Sequence, residues 1–132
     1  MKMALAFAVA LFFAGPALAD PYGVAILQAL DKVTARVTTL EAKLHDTVRY
    51  ATLEIIVRAC DKRPPEETPE SAAFLDIWEQ RPGEPVQGVF RGWMFASSPA
   101  LSAMEHPVYD VWVLDCKNPI TSEESSPDDS EE

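Results

Sequence analysis

The sequence is short of histidine, cysteine and basic residues, and each shortage excludes a class of function. It holds two histidines, two cysteines and 11 basic residues against 21 acidic ones, for a net charge of −10. No CxxC or HxxxH spacing occurs, so we expect no zinc site and no cofactor. Because the chain has no basic excess to meet a phosphate backbone, we expect no nucleic-acid partner.

The N-terminal apolar run is shorter than the roughly 20 residues that a membrane-spanning helix needs. It extends from about Met3 to Ala14, follows Lys2, and gives way to Gly15-Pro16 and Ala17-Leu18-Ala19. This order is typical of a secretory signal peptide. We therefore predict a signal peptide over residues 1–19, cleavage after Ala19, and a periplasmic chain without a membrane span. An uncleaved membrane anchor is the alternative.

The rest of the chain is long enough for one domain, which we place at residues 20–117. Residues 118–132 follow it as an acidic tail, in which "TSEESSPDDSEE" has six acidic residues and no basic one. Such a segment buries too little apolar surface to order, so we predict disorder. It either keeps the chain solvated or contacts a basic partner. The loop Asp61–Ser71, with its three prolines, is predicted to be a solvated excursion.

Strand patterns dominate the domain. Alternation of apolar and polar residues predicts strands in the segments "VAILQALD", "VTARVTTLE", "TLEIIVRAC", "FLDIWEQ" and "VQGVFRGWMF". Leu53, Ile55 and Val57 should share a buried face. "FLDIWEQ" also follows a possible helix start, but we prefer a strand, and "RPGEP" should be the turn after it. We predict an all-β domain of six to seven strands, as a small barrel or sandwich.

One short helix is expected near residues 99–106. Ser98 would be its N-cap and Pro99 its first residue, and Pro107 would end it. Leu101 and Met104 would close one end of the core. The strand "VYDVWVL" that follows is apolar on both faces, which predicts a central strand.

The two cysteines, Cys60 and Cys116, each end an apolar run with strand character. In an exported protein an even cysteine count favours a disulfide, and strands that end side by side would bring the pair together. We predict the Cys60–Cys116 bridge.

Ser97 or Ser98, His106 and Asp110 supply the residue types of a hydrolase triad. However, no nucleophile-elbow pattern surrounds either serine, and Ser98 is expected to cap a helix. A structural tie between His106 and Asp110 is the better interpretation. We therefore predict no catalytic residue and no enzyme.

The small domain cannot bury every aromatic side chain, so some should form a partner surface. The candidates are Phe74, Trp78, Trp93 and Met94. The alternative is a periplasmic domain that binds a ligand such as a cell-wall polysaccharide, with Trp78, Trp93 and Trp112 stacking on sugar rings.

Three blocks also resemble an exported family of alphaproteobacteria, the domain of unknown function number 2155. They are "LDKVTARVTTLE", "LEIIVRACDKRPPEETPESAAFL" and "FRGWMFASSPALSAMEHPVYDVWVLDC". The resemblance covers about Ala29 to Cys116 and implies no catalytic residue. It implies a protein-interaction role, as an accessory subunit on the periplasmic side of respiratory NADH dehydrogenase (complex I).

Overall fold

A computed structural model describes residues 20–118, and the predicted signal peptide and nearly all of the predicted tail lie outside that range. Eight strands and one short 3₁₀ helix make up the described chain. The strands are β1 (Asp20–Pro21), β2 (Val24–Asp31), β3 (Arg36–Lys43), β4 (Thr47–Tyr50), β5 (Leu53–Lys62), β6 (Ser71–Glu79), β7 (Gln87–Phe95) and β8 (Tyr109–Lys117).

The strands form two separate antiparallel sheets, which confirms the all-β prediction and selects a sandwich over a closed barrel. The large sheet has the order β1-β5-β6-β7, with β4 also paired to β5. The small sheet has the order β3-β2-β8. The β6–β7 hairpin turns at the predicted site, where Gly83 has a φ of 77° that side-chain-bearing residues seldom adopt.

The core lies between the inward faces of the two sheets. Leu53, Ile55 and Val57 of β5 are fully buried, as their alternation predicted. Leu27 of β2 and Val113 of β8 meet them from the small sheet. Each such side chain stabilises the fold by about 1.5–3 kcal/mol relative to exposure. A period of two along each strand therefore decides which residues lie inside.

The predicted disulfide is confirmed and joins the two sheets. Cys60 of β5 and Cys116 of β8 are bonded, with their Cα atoms 5.8 Å apart. Both residues are buried, and they are 56 positions apart in sequence. The bridge therefore closes a long loop that covers most of the large sheet, which is the arrangement in which chain entropy favours a cross-link most.

The predicted helix over residues 99–106 is wrong. Only Pro99–Leu101 form a 3₁₀ turn, and the Ser98 side chain makes no cap hydrogen bond. Met104 is buried, whereas Leu101 is 77% exposed. The cause is tertiary, because the buried ring of His106 binds the backbone that follows it and so fixes the path of this short segment.

Two strand predictions also need correction. Val33–Ala35 lie in the β2–β3 turn, because Asp31 Oδ1 accepts hydrogen bonds from the N–H groups of Val33 and Thr34. β8 is an edge strand of the small sheet and not a central one. Its second face is only partly covered: Leu114 is 42% exposed, and Trp112 lines a groove together with Pro99 and Ala100.

Candidate interaction surface

The outer face of the large sheet carries a row of aromatic side chains. Phe74 of β6 stands directly opposite Trp93 of β7. Their ring centroids are 5.6 Å apart and the rings are nearly perpendicular. Trp78 lies further along β6, opposite Gly88, which offers no side chain to cover it. Phe95 extends the row beyond Trp93. We call Phe74, Trp78, Trp93 and Phe95 the aromatic face.

Three of the four residues predicted to form a partner surface share this face. Trp93 is 39% exposed, and Phe74 and Trp78 are half-buried. The fourth prediction is wrong, because Met94 is buried and only 2% of its surface is exposed. Adjacent residues of a strand point to opposite sides, so Met94 enters the core because Trp93 leaves it.

Two arginines are held over the middle of the aromatic face by a buried carboxylate. Asp76 is only 4% exposed, and the Nε atom of Arg58 lies 3.2 Å from its Oδ2. Arg91 places its Nε 3.7 Å from Oδ1, and its guanidinium carbon lies 6.0 Å from the Phe74 ring centroid. The buried charge is therefore compensated, and the Arg91 guanidinium stays beside the Phe74 ring. The sequence alone did not indicate this cluster.

A groove of about 400 Å³ lies at one end of the aromatic face. Its lining is made by two residues of the loop between β5 and β6 and by four residues of β5, β6 and β7: Arg63 and Glu70 of the loop, and Asp61, Ala72, Trp93 and Phe95 of the strands. The groove is thus walled by two aromatic rings on one side and by charged side chains on the other.

Glu70 fastens the polar wall of this groove to the end of β7. Its Oε1 accepts hydrogen bonds of 3.1 Å from the N–H groups of Ser71 and Ser97, and its Oε2 accepts one from the Ser97 hydroxyl. Burial by itself raises the pKa of Glu70, but these hydrogen bonds and Arg63 outweigh it and lower the pKa below its ordinary value. The loop predicted as a solvated excursion is therefore tied down at its end.

The structure does not assemble the triad residues into a catalytic set. Ser97 binds Glu70, as described above. His106 Nε2 lies 2.7 Å from Glu79 Oε2, and its Nδ1 accepts the N–H groups of Val108 and Tyr109 at 3.0 Å. Since Nδ1 is an acceptor, the hydrogen-bond network assigns the proton to Nε2. Both ring nitrogens are occupied, so neither is available to activate a serine.

The expected tie between His106 and Asp110 is wrong, because Glu79 is the partner of the His106 ring. Glu79 also accepts a hydrogen bond of 2.8 Å from the Thr52 hydroxyl, and it forms an ion pair of 3.1 Å with Arg81. Burial alone raises the pKa of Glu79, whereas the hydrogen bonds from Thr52 and His106 and the charge of Arg81 lower it overall. Sequence reasoning missed Glu79 because an inward-facing acid at a strand end has no local signature.

No candidate metal centre occurs among residues 20–118, where no three histidine, cysteine, aspartate or glutamate side chains converge. Within the same residues no helix is long and apolar enough to cross a membrane.

Comparison with known proteins places the chain in a family. Residues 25–116 match the profile described as uncharacterized protein conserved in bacteria (DUF2155). The chain belongs to this family. The DUF2155 match covers the two sheets and both cysteines, and it confirms the family to which the three sequence blocks pointed.

One relative is likewise an uncharacterized protein. The uncharacterized protein RP359 of Rickettsia prowazekii (strain Madrid E) is 30% identical over 88 residues, which are 67% of this chain and 57% of that protein. The chain therefore spans less than two thirds of that relative's length. No solved structure matches the chain.

Proposed function

We propose that this DUF2155 protein is a non-catalytic, periplasmic interaction module that docks on a protein partner through its aromatic face. One observation carries the proposal: Trp93 and Phe74 are paired on the outside of a rigid sheet and are not absorbed into the core. Exposed aromatic side chains with flanking arginines are the residue types most enriched at binding hot spots.

The frame around the aromatic face supports this role. The face lies on regular strands, Asp76 holds its arginines, and Glu70 fixes one of its ends. A surface whose side chains are already held loses little conformational freedom when a partner binds. The disulfide supports the proposed location, because such bridges persist in oxidising compartments such as the periplasm.

For the partner, we propose an inner-membrane complex, with respiratory NADH dehydrogenase (complex I) as the first candidate. This choice rests on the family resemblance of the three sequence blocks. The protein would bind on the periplasmic side and support assembly, and it would take no part in electron transfer.

Native electrophoresis of detergent-solubilised membranes tests the proposal. Cells would carry a tagged copy with Trp93→Ala or, as the control, Leu114→Ala. Leu114 is 42% exposed, close to the 39% of Trp93, but it lies on the small sheet. The unmodified protein and the Leu114 variant should migrate with a large complex that contains NADH dehydrogenase. The Trp93 variant should shift towards the free chain.

The polysaccharide-binding alternative makes the opposite prediction. If the tag always migrates as a free chain, deletion leaves the amount of NADH dehydrogenase unchanged, and purified protein binds cell-wall polysaccharide through Trp93, the docking proposal is wrong. The groove beside Trp93 would then be the ligand site.

A further inference from the structure

We infer that the free edge of β7 receives an extended segment of the partner as an added strand, and that this segment carries acidic and apolar side chains two residues apart. The inference rests on the proposed docking role of the aromatic face and names the chemistry of what binds there.

The ladder geometry shows which backbone groups of β7 are free. The N–H of Ala96 donates to the carbonyl of Ser71 at 2.8 Å, just beyond the pair formed by Ala72 and Phe95. In an antiparallel ladder, hydrogen-bonded and non-bonded pairs alternate. The backbone groups of residues 90, 92 and 94 therefore point towards β6. Those of Arg91, Trp93 and Phe95 point away from it, to the open side of the sheet.

The same three residues place their side chains on the aromatic face. Arg91 and Trp93 are exposed, and Phe95 is half-buried beside the groove. A strand added at this edge would bond to free N–H and C=O groups, and its outward side chains would stand next to these three residues. Backbone pairing and side-chain recognition would thus occur in one place.

From Phe90 to Phe95, β7 is regularly paired and has few of the features that protect an edge strand from pairing; its one register irregularity lies at Val89. It has nine residues, and its one charged side chain is Arg91. The other edge strands in the described chain are either short or charged. β1 has two residues and β4 has four, while β3 and β8 have three charged side chains each. Short length and charge are the usual ways in which an edge avoids pairing, so β7 is the edge left open.

Charge determines the kind of segment that fits. The chain has a net charge of −10, yet the one charged residue of β7 is Arg91, whose side chain is 75% exposed and lies 3.7 Å from Asp76. Arg58 lies 3.2 Å from the same carboxylate, so two guanidinium groups share one buried negative charge. Arg63 lines the groove next to Trp93, where Asp61 and Glu70 offset its charge. A carboxylate on the added strand would meet Arg91, and an apolar side chain two residues along would meet Trp93.

Residue-resolved hydrogen exchange tests the added strand directly. The purified chain is compared with the same chain in the isolated native complex, and the exchange is quenched before the complex is dissociated. In the free chain, the N–H groups of Arg91, Trp93 and Phe95 should exchange fast, and those of residues 90, 92 and 94 slowly. In the complex all six should be slow. Protection of the first three by at least about tenfold is the expected result.

Each other outcome overturns the inference in a distinguishable way. If the complex forms but the three N–H groups stay fast, docking holds and strand addition is wrong. If no complex can be isolated, the proposed function itself has failed. If these N–H groups are already protected in the free chain, the segment paired with β7 does not come from a partner. Loss of the protection after truncation at residue 118 would show that the segment is the chain's own tail. Loss of the protection on dilution would show that it belongs to a second copy of the chain.

A pair of variants separates the contribution of the Arg91 backbone N–H to docking from that of its side-chain charge. Arg91→Ala keeps the free N–H and removes the guanidinium, and it should weaken docking about tenfold. Arg91→Pro also removes the outward N–H without breaking a bond to β6, and it should weaken docking about five- to tenfold further. Equal effects of the two variants, at equal thermal stability, would contradict strand addition. Tighter docking of Arg91→Glu would contradict an acidic segment.

Discussion

The edge strands β3 and β7 belong to the same sandwich, but they present different edges to the surroundings. β3 is exposed at six of its eight residues, and Arg36, Glu41 and Lys43 distribute charge along it. β7 has two glycines, three aromatic residues and one charge in nine residues. Both edges have unpaired backbone groups, so side-chain chemistry distinguishes them. The charged edge resists pairing, and the aromatic edge invites it.

The two edges also differ in the charged groups on the sheet faces behind them. Behind β7, Asp76 pairs with two arginines beside the Phe74 and Trp93 rings. Near β3, Lys117 of β8 and Glu41 form an ion pair of 2.6 Å between partly exposed side chains, which contributes little to stability. A structured charge cluster on one face and a solvated pair on the other point to β7 as the functional side.

Loss of the disulfide should have the largest effect on the stability of the fold, and it should affect the edge strands β3 and β7 alike. The bridge attaches the sheet that contains β7 to the sheet that contains β3, so Cys116→Ala should lower the free energy of unfolding by roughly 2–5 kcal/mol. Urea denaturation measures the change, and the double variant with Cys60→Ala is the control, expected to match the single one. A loss below about 1 kcal/mol would show that the bridge is not a major constraint.

His106→Ala should have the next largest effect and should leave docking intact. It removes the acceptor of two backbone N–H groups and one partner of a buried carboxylate, so we expect a loss of about 2–3 kcal/mol. Glu79→Gln keeps an acceptor for the ring and should lose less. Thermal denaturation and native electrophoresis would be run together. If either variant abolished docking without a loss of stability, this cluster would be part of the binding site.

Giving β7 a charged residue like those of β3 should sharpen the comparison. Trp93→Lys should reduce docking by at least about tenfold, with a stability loss of about 1 kcal/mol from the pair with Phe74. Val37→Lys on β3, where Val37 is 51% exposed, should change neither quantity measurably. Docking that falls equally in both variants would remove the distinction between the two edges.

Acid should loosen the end of β7 and leave the backbone of β3 unaffected. The folded-state pKa of Glu70 lies below its ordinary value of 4.5. Its contribution is therefore present above about pH 4.5 and is lost as the pH falls through the lower, folded-state value. Exchange of the Ser97 N–H should then accelerate, after correction for intrinsic rates, whereas the N–H groups of β3 should not respond. An unchanged Ser97 rate, or the same response in a Glu70→Gln variant, would rule out this role for Glu70.

Much of the fold could be predicted because alternation is a local signal. The inward residues of β5 and the β6–β7 turn are decided by neighbours in sequence, and the two cysteines had one pairing available. Phe74, Trp78 and Trp93 were surface candidates because a small domain cannot bury every aromatic side chain, and the same argument was wrong for Met94. Because successive side chains of a strand point to opposite faces, an outward-facing Trp93 would have assigned Met94 to the core.

The remaining errors concern contacts between residues distant in sequence. Pro99–His106 has good helix signals, but the pairing of His106 with Glu79, 27 positions away, determines its conformation. The partners of Glu70 and Asp76 lie on other strands in the same way. Buried polar groups choose partners by three-dimensional proximity, so a single sequence does not identify them.

Site-specific photo-cross-linking in living cells tests the central claim most directly. A photoreactive amino acid would replace Trp93 on the open edge or Val37 on the charged edge, and cross-linked products would be identified by mass spectrometry. We predict that position 93 cross-links to an acidic, extended segment of an inner-membrane complex subunit and that position 37 does not. Cross-links of equal yield from both positions, or from position 37 alone, would contradict it.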